Sequence, residues 1–285
     1  MKLLIAGAGG QLGRSLQACV PAGASVIAPP EAEFDITDAV RVSQVIAASG
    51  ATHLVNAAAY TAVDKAEADL DTARRINVDA VATLADAARA AGLGFIQVST
   101  DFVFDGTAST PYAPSALTSP LGVYGETKRD GELAAGADAL IVRTAWVYAA
   151  AGNNFVKTML RVMAERPEIR VVADQIGTPT HALSLARAIW TLATSGAKGH
   201  YHWTDAGAAS WYDFAVAIQE EALALGMLER AVPVIPIRTA EYPTPAKRPS
   251  YSVLDKTTSW AITGPANHWR SELRACLALM KDLPA

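Results

Sequence analysis

The apolar positions of the chain come first as short continuous runs, each followed by a longer stretch of helical period. Lys2-Leu3-Leu4-Ile5-Ala6 is such a run, too short for a helix and closed by glycines, and it predicts a buried strand. Residues 14–20 read as the helix behind it. A second strand is expected over 24–28. A helix follows to residue 48, with Thr37 or Asp38 as its cap. His53-Leu54-Val55-Asn56 is the third strand. Residues 74–91 read as one long amphipathic helix, 94–100 as a strand, 124–135 as a helix and 139–144 as a strand. Regular alternation of strand and helix predicts an α/β fold with a doubly wound, parallel, Rossmann-type sheet.

The second half is less regular. Helices are expected at 154–166, from Pro179 to 194, at 211–225 and at 267–279. Short strands are expected at 169–173 and 199–203, and prolines crowd 233–249. Residues 1–148 are therefore expected to form a dinucleotide-binding domain, with parts of 175–203 returning to it. Residues 149–285 would form a smaller, partly interleaved substrate domain.

Composition narrows the function. The chain has 285 residues, 51% of them hydrophobic and 18% charged, with a net charge of −4. This suits a globular protein with a large core and gives no footprint for nucleic acid or an anionic membrane. No apolar run is long enough to span a bilayer. Cys19 and Cys276 lie far apart outside any motif and read as core thiols of a cytoplasmic protein. His200-x-His202 would put two imidazoles on one side of a strand, which reads as structural rather than metal-binding.

Three stretches carry chemistry. Gly7-Ala8-Gly9-Gly10-Gln11-Leu12-Gly13 sits between a strand and a helix, where a dinucleotide-binding turn belongs. Gly7 allows the tight turn, Gly10 the approach of a pyrophosphate, and Gly13 the packing of helix on strand. The helix N-terminus then offers free N–H groups to the phosphates. The end of the second strand, Pro29-Pro30, carries neither a clean ribose-binding acid nor an arginine, so cofactor choice is not legible there. Ser99-Thr100-Asp101 ends a later strand. Tyr124-Gly125-Glu126-Thr127-Lys128 places a phenol and an ammonium one turn apart on a helix. The ammonium is expected to lower the phenol's pKa. Together a hydroxyl, a phenol and an ammonium can protonate a carbonyl oxygen as hydride reaches its carbon.

With these motifs the chain resembles the extended short-chain dehydrogenase/reductase family, and within it the dTDP-4-dehydrorhamnose reductases. Asn56-Ala57-Ala58-Ala59-Tyr60-Thr61-Ala62-Val63-Asp64-Lys65-Ala66-Glu67 carries the closer likeness, as does Arg143-Thr144-Ala145-Trp146-Val147-Tyr148. Asn153-Asn154-Phe155-Val156, Asp174-Gln175-Ile176-Gly177-Thr178-Pro179-Thr180 and Arg248-Pro249 extend it over nearly the whole length.

The resemblance implies reduction of the 4-keto group of a dTDP-sugar with NADPH, or alternatively NADH. Tyr124 would be the general acid, and Lys128 would lower its pKa and hold the nicotinamide ribose. Thr100 would bond the reacting oxygen, and Asp101 would fix the sugar. The implied cofactor contacts are Gly7, Gly10, Gln11, Leu12, Gly13, Asp35, Ile36, Ala57, Ala58, Ala59, Tyr60, Ser99, Tyr124 and Lys128. Phe102, Trp146, Asn154 and Arg248 would join Thr100 and Asp101 at the substrate, with Trp146 near the sugar ring and Arg248 at the diphosphate.

Phe102 stands where a related dehydratase would carry an acid, which favours simple reduction over dehydration or epimerisation. Some family members bind Mg between subunits through acidic residues. Gln11 stands where one acid is expected, and no carboxylate pair occurs in residues 181–187, so no metal and a monomer or weak homodimer are expected. The rival expectations are a regulatory dinucleotide-binding subunit without turnover, and a reductase or epimerase of another nucleotide sugar.

Overall fold

The structure, a computed structural model, describes residues 1–282. Its centre is a six-stranded sheet. Five strands come from the first half: β1 (Lys2–Ala6), β2 (Ser25–Ile27), β3 (His53–Asn56), β4 (Gly94–Thr100) and β5 (Leu140–Thr144). The sixth, Gly199–His202, adds to the outer edge of β5, so the spatial order is Gly199–His202, β5, β4, β3, β1, β2. Every pairing is parallel. The order reverses between β1 and β3, which defines a crevice at their carboxyl ends.

Alternation within each strand feeds two cores. Leu3, Ile5, Val55 and Ile96 face α1 (Gln11–Ala18) and the helix Ala182–Thr194. Leu4, Ala6, Leu54 and Ile141 face α2 (Ala39–Ser49) and the helix Ala80–Ala90. Strands covered on both faces are largely apolar, which explains the continuous runs in the sequence. Trp190 is fully buried and its Nε1 donates to the Leu16 carbonyl at 3.1 Å, fastening the late helix to the first one.

Helix boundaries differ from expectation in three places. The first helix starts at Gln11, not Arg14, because the glycine turn leads straight into it. The expected helix over 74–91 is interrupted by a π turn, Arg75–Asp79, before Ala80–Ala90. Pro179 lies outside its helix, which begins at Ala182 behind the short strand Thr180–His181. Asp38 caps α2, accepting from the Val40 and Arg41 N–H groups.

A second set of cores lies in the later part of the chain. Helices Phe155–Glu165, Trp211–Ala224 and Trp269–Asp282 enclose Phe214, Ile218, Leu273 and Leu277. The parallel pair Ile169–Val172 and Val234–Ile237 feeds the other of these cores. None of the described helices is long and apolar enough to cross a membrane.

Candidate active site

The glycine turn is built against the strand beside it. Gly7 has φ +78°, and a Cβ there would lie 2.6 Å from the Ala58 nitrogen. A Cβ on Gly13 would lie 2.2 Å from the Gly7 carbonyl oxygen, so neither position tolerates a side chain. Gly10 caps α1 without a side chain. The N–H groups of Gln11, Leu12 and Gly13 in the first turn have no carbonyl within the helix to meet. This cradle suits the pyrophosphate of a dinucleotide, and the small Ala57, Ala58 and Ala59 leave its neighbouring wall low.

The far end of the crevice is less as expected. Asp35 is exposed, and its carboxylate is occupied by the backbone N–H and hydroxyl of Thr37, both at 2.8 Å. It is a turn carboxylate, held below its usual range by those two bonds. Ile36 is buried in the core under α2.

Thr100, at the end of β4, donates to Asp101 Oδ1 at 3.0 Å and accepts from the Phe102 N–H at 3.2 Å. Asp101 is 1% exposed and its Oδ2 has no partner among the described residues. Burial pushes its carboxyl up to about 6, against the opposing influence of the nearby Ser252 and Thr100 hydroxyls. The helix Val123–Ala135 brings Tyr124 to the same place. Its close fit depends on Gly125, where a Cβ would lie 2.2 Å from the Phe102 carbonyl oxygen. The Phe102 and Tyr124 rings meet edge to face at 5.5 Å.

The expected acidification of the phenol by Lys128 is corrected by this geometry. Burial raises the Tyr124 hydroxyl to about 12; Thr100 lowers it and the Asp101 charge raises it. The Lys128 amine is directed elsewhere. Its Nζ donates to the Val98 carbonyl at 2.7 Å, and burial lowers its own pKa to about 8, with Glu132 opposing. Tyr124, Lys128 and Glu132 lie at successive four-residue steps on one helix face.

Glu132 organises the floor beneath them. It takes a forked pair from Arg143, with Nε–Oε1 at 2.8 Å and Nη2–Oε2 at 2.7 Å. It also accepts from the Ser99 hydroxyl at 2.5 Å and lies 3.4 Å from His200 Nε2. Burial alone would raise its carboxyl; Arg143, His200 and Ser99 outweigh burial and hold it at about 2. The Ser99 hydroxyl donates into this network. His202, buried beside Arg143, is held neutral, its pKa lowered to about 3 first by burial and then by the Arg143 charge.

Two expected substrate contacts are otherwise engaged. Asn154 Nδ2 donates to Gln11 Oε1 at 2.9 Å and to the Ala149 carbonyl at 2.8 Å, while its Oδ1 caps the Lys157 N–H. It clasps the helix Phe155–Glu165 to α1 and has no donor left over. Arg248 forks onto Asp64, with contacts of 3.0 and 2.7 Å, and also reaches Thr244 and Ala246. An ion pair already fills the fork that was expected to meet a diphosphate. Arg248 still lines a cleft with Phe102, Trp146, Gln175, Trp211 and Ser252. One face of Trp146 is covered by Trp211, their centroids 3.6 Å apart and nearly parallel at 11°.

Three residues at the site were given no role by the sequence. Asn77, in the π turn, accepts from the Tyr60 N–H and donates to the Tyr60 carbonyl and the Thr127 hydroxyl. Insertion of the extra residue in that turn lets one side chain hold the Tyr60 stretch and the Tyr124 helix together. Glu67 Oε1 accepts from the Val123 N–H at 2.9 Å and caps the helix that carries Tyr124. The signal for it was the glycine at position 122: a helix with no capping side chain of its own needs one from elsewhere. Trp211 had no sequence signal.

A dinucleotide cradle at a topological switch point, with hydroxyl, phenol and ammonium beside it, is the layout of an extended short-chain dehydrogenase/reductase. The protein is an oxidoreductase of that class. The family model described as the RmlD substrate binding domain matches residues 1–281, and the chain belongs to that family. It is 44% identical to the dTDP-4-dehydrorhamnose reductase of Aggregatibacter actinomycetemcomitans, over 90% of this chain and 91% of that protein. The crystal structure of such a reductase from Clostridium acetobutylicum superposes with a TM-score of 0.92, covering 99% of this chain and 100% of that one at 39% identity. Another, from Bacillus anthracis in complex with NADP, gives a TM-score of 0.90 at 34% identity over 98% and 99% of the two chains.

Proposed function

We propose that the protein reduces the 4-keto group of dTDP-4-dehydro-L-rhamnose to give dTDP-L-rhamnose, with NADPH as the preferred donor. The observation that carries this reading is the convergence of Thr100, Tyr124 and the buried Lys128 beside the Gly7–Ala58 crevice, in a chain of this family. The fit of the glycine cradle to a pyrophosphate and the NADP-bound relative support the cofactor. Bound NADPH supplies the hydride.

The protein's own residues supply the rest. Thr100 holds the carbonyl oxygen by a hydrogen bond. Tyr124, with its pKa near 12, is fully protonated at neutral pH and gives its proton to the new alkoxide, a stronger base. The high value suits reduction, which needs a loaded acid rather than a phenolate. Lys128, buried on the helix turn below with its amine on the Val98 carbonyl, would hold the nicotinamide ribose. Asp101, next to Thr100, orients the sugar. Phe102 stands where a dehydratase would carry an acid, which favours a reaction that ends at one reduction.

The test is NADPH oxidation by purified protein with and without the 4-keto nucleotide sugar, repeated with NADH. Turnover should require the sugar and run faster with NADPH. Failure with this substrate alongside turnover of another 4-keto sugar would overturn the assignment. Binding of dinucleotide with no turnover of any sugar would favour a regulatory subunit.

A further inference from the structure

Among the described residues Trp146 is the one non-glycine residue with a positive φ, +48°. A bulky side chain avoids this left-handed conformation, so neighbouring contacts must hold it there. Two do. The indole of Trp211 stacks on it at 3.6 Å between centroids. Gly177 lies against its edge, where a Cβ would come within 2.7 Å of the indole Cε2 and 2.9 Å of Nε1. Both supports belong to one rigid unit. Ile176–Gly177 pairs antiparallel with Ala209–Ser210, the residues immediately before Trp211. Trp211 then opens a helix fixed by a reciprocal cap, with Ser210 Oγ accepting from the Asp213 N–H and Asp213 Oδ2 from the Ser210 N–H. Phe155 packs on the far side of Trp211 at 4.7 Å. Neither tryptophan is fully buried, and both line the cleft that holds Phe102, Arg248 and Ser252.

We propose that Trp211, with Gly177, is a positioning residue: it holds Trp146 in its strained conformation so that the paired indoles wall the cleft where the sugar of the nucleotide sugar lies. This rests on the nucleotide-sugar reading above. A strained residue braced on two sides by a capped helix and a paired strand is pre-organised, and a pre-organised wall spends no binding free energy on ordering itself. The wall recognises the carbohydrate ring and its apolar methyl edge, while the nucleotide half binds elsewhere.

The experiment compares the affinities of dTDP-L-rhamnose and of dTDP alone for the full-length protein. Trp211→Leu should weaken dTDP-L-rhamnose about five- to tenfold, the scale of a lost aromatic stack, and leave dTDP unchanged. Trp211→Phe should restore part of the loss. In a Trp146→Phe background Trp211→Leu should add nothing further, because it acts through Trp146. The near-ultraviolet circular dichroism couplet of the stacked indoles should vanish in each single variant. Gly177→Ala, which pushes on the same indole from its edge, should reproduce the selective loss and stands as the test if Trp211→Leu does not fold. Equal weakening of both ligands, additive losses in the double variant, or unchanged affinity for dTDP-L-rhamnose would each overturn the proposal. If the wild-type protein bound neither ligand, the nucleotide-sugar reading itself would fall, and this one with it.

Discussion

Lys128 Nζ donates to the carbonyl of Val98 at 2.7 Å, which ties the helix bearing the phenol to the strand bearing Thr100. The ammonium is buried and its pKa is lowered to about 8, so the fold bears a desolvation cost to keep it there. Lys128→Met removes that cost. It should melt at the same temperature or higher while losing about a hundredfold or more in turnover. Tyr124→Phe should lose a similar factor, the scale of a missing general acid, and still bind dinucleotide. Steady-state kinetics with a parallel cofactor titration separates the two effects. Near-normal turnover in Tyr124→Phe would remove the phenol from the mechanism.

Glu67→Ala should loosen the first turn of the same helix. Loss of a cap costs about 1 kcal/mol locally. Turnover should fall severalfold with little change in cofactor affinity. Glu67→Gln keeps an acceptor oxygen for the Val123 N–H and should recover most of the activity. If Gln were as impaired as Ala, charge rather than capping would be the relevant property of Glu67.

Glu132→Gln strands the Arg143 guanidinium, since both side chains are nearly inaccessible, at 3% and 4%. Removing one partner of such a pair costs roughly 3–5 kcal/mol because the other charge stays buried. Denaturant unfolding should show this loss. Replacing Arg143 and Glu132 together by apolar residues should be milder than either single change.

Asp205 gives stability a distinctive pH dependence. Burial raises its carboxyl from 3.8 to about 7, against the His181 N–H bond, and its Oδ1 has no partner among the described residues. An acid whose folded pKa is raised favours folding while it is protonated. That contribution is complete below about pH 4 and is lost as pH rises through 7. Asp205→Asn should therefore gain on the wild type by a few kcal/mol, to order of magnitude, between pH 4 and pH 8. Parallel pH–stability curves for the two proteins would show that the carboxyl does not titrate in that interval.

Local pattern made the sheet and the cofactor turn legible. A parallel strand buried on both faces must be an apolar run, and glycines at positions 7 and 13 admit no side chain because backbone lies within 3 Å. The pairing of Tyr124 with Thr100 followed from topology, since elements of a parallel sheet end on one side. The direction of the phenol's pKa shift was not legible. It depends on burial and on where the Lys128 amine turns, and the amine is held by a backbone carbonyl thirty residues away. Asn77 was hidden for a similar reason: its partners, Tyr60 and Thr127, are 17 and 50 residues distant. A π turn leaves no periodic mark in five residues. Asn154 and Arg248 came to the substrate only through the resemblance; their partners, Gln11 and Asp64, lie in the other half of the chain and no local pattern announces them.

The sixth strand has a consequence for how the protein is made. Gly199–His202 pairs with β5, yet it is synthesised only after the helix Phe155–Glu165 and the strand Ile169–Val172. Until then β5 carries an open hydrogen-bonding edge, and the face of Leu16 lacks the helix of Trp190. A nascent chain ending near Tyr148 therefore presents the bare strand edge that recruits other chains. Folding must wait for long-range pairing, which makes it slow and places the period of greatest aggregation risk before the ribosome has passed residue 202.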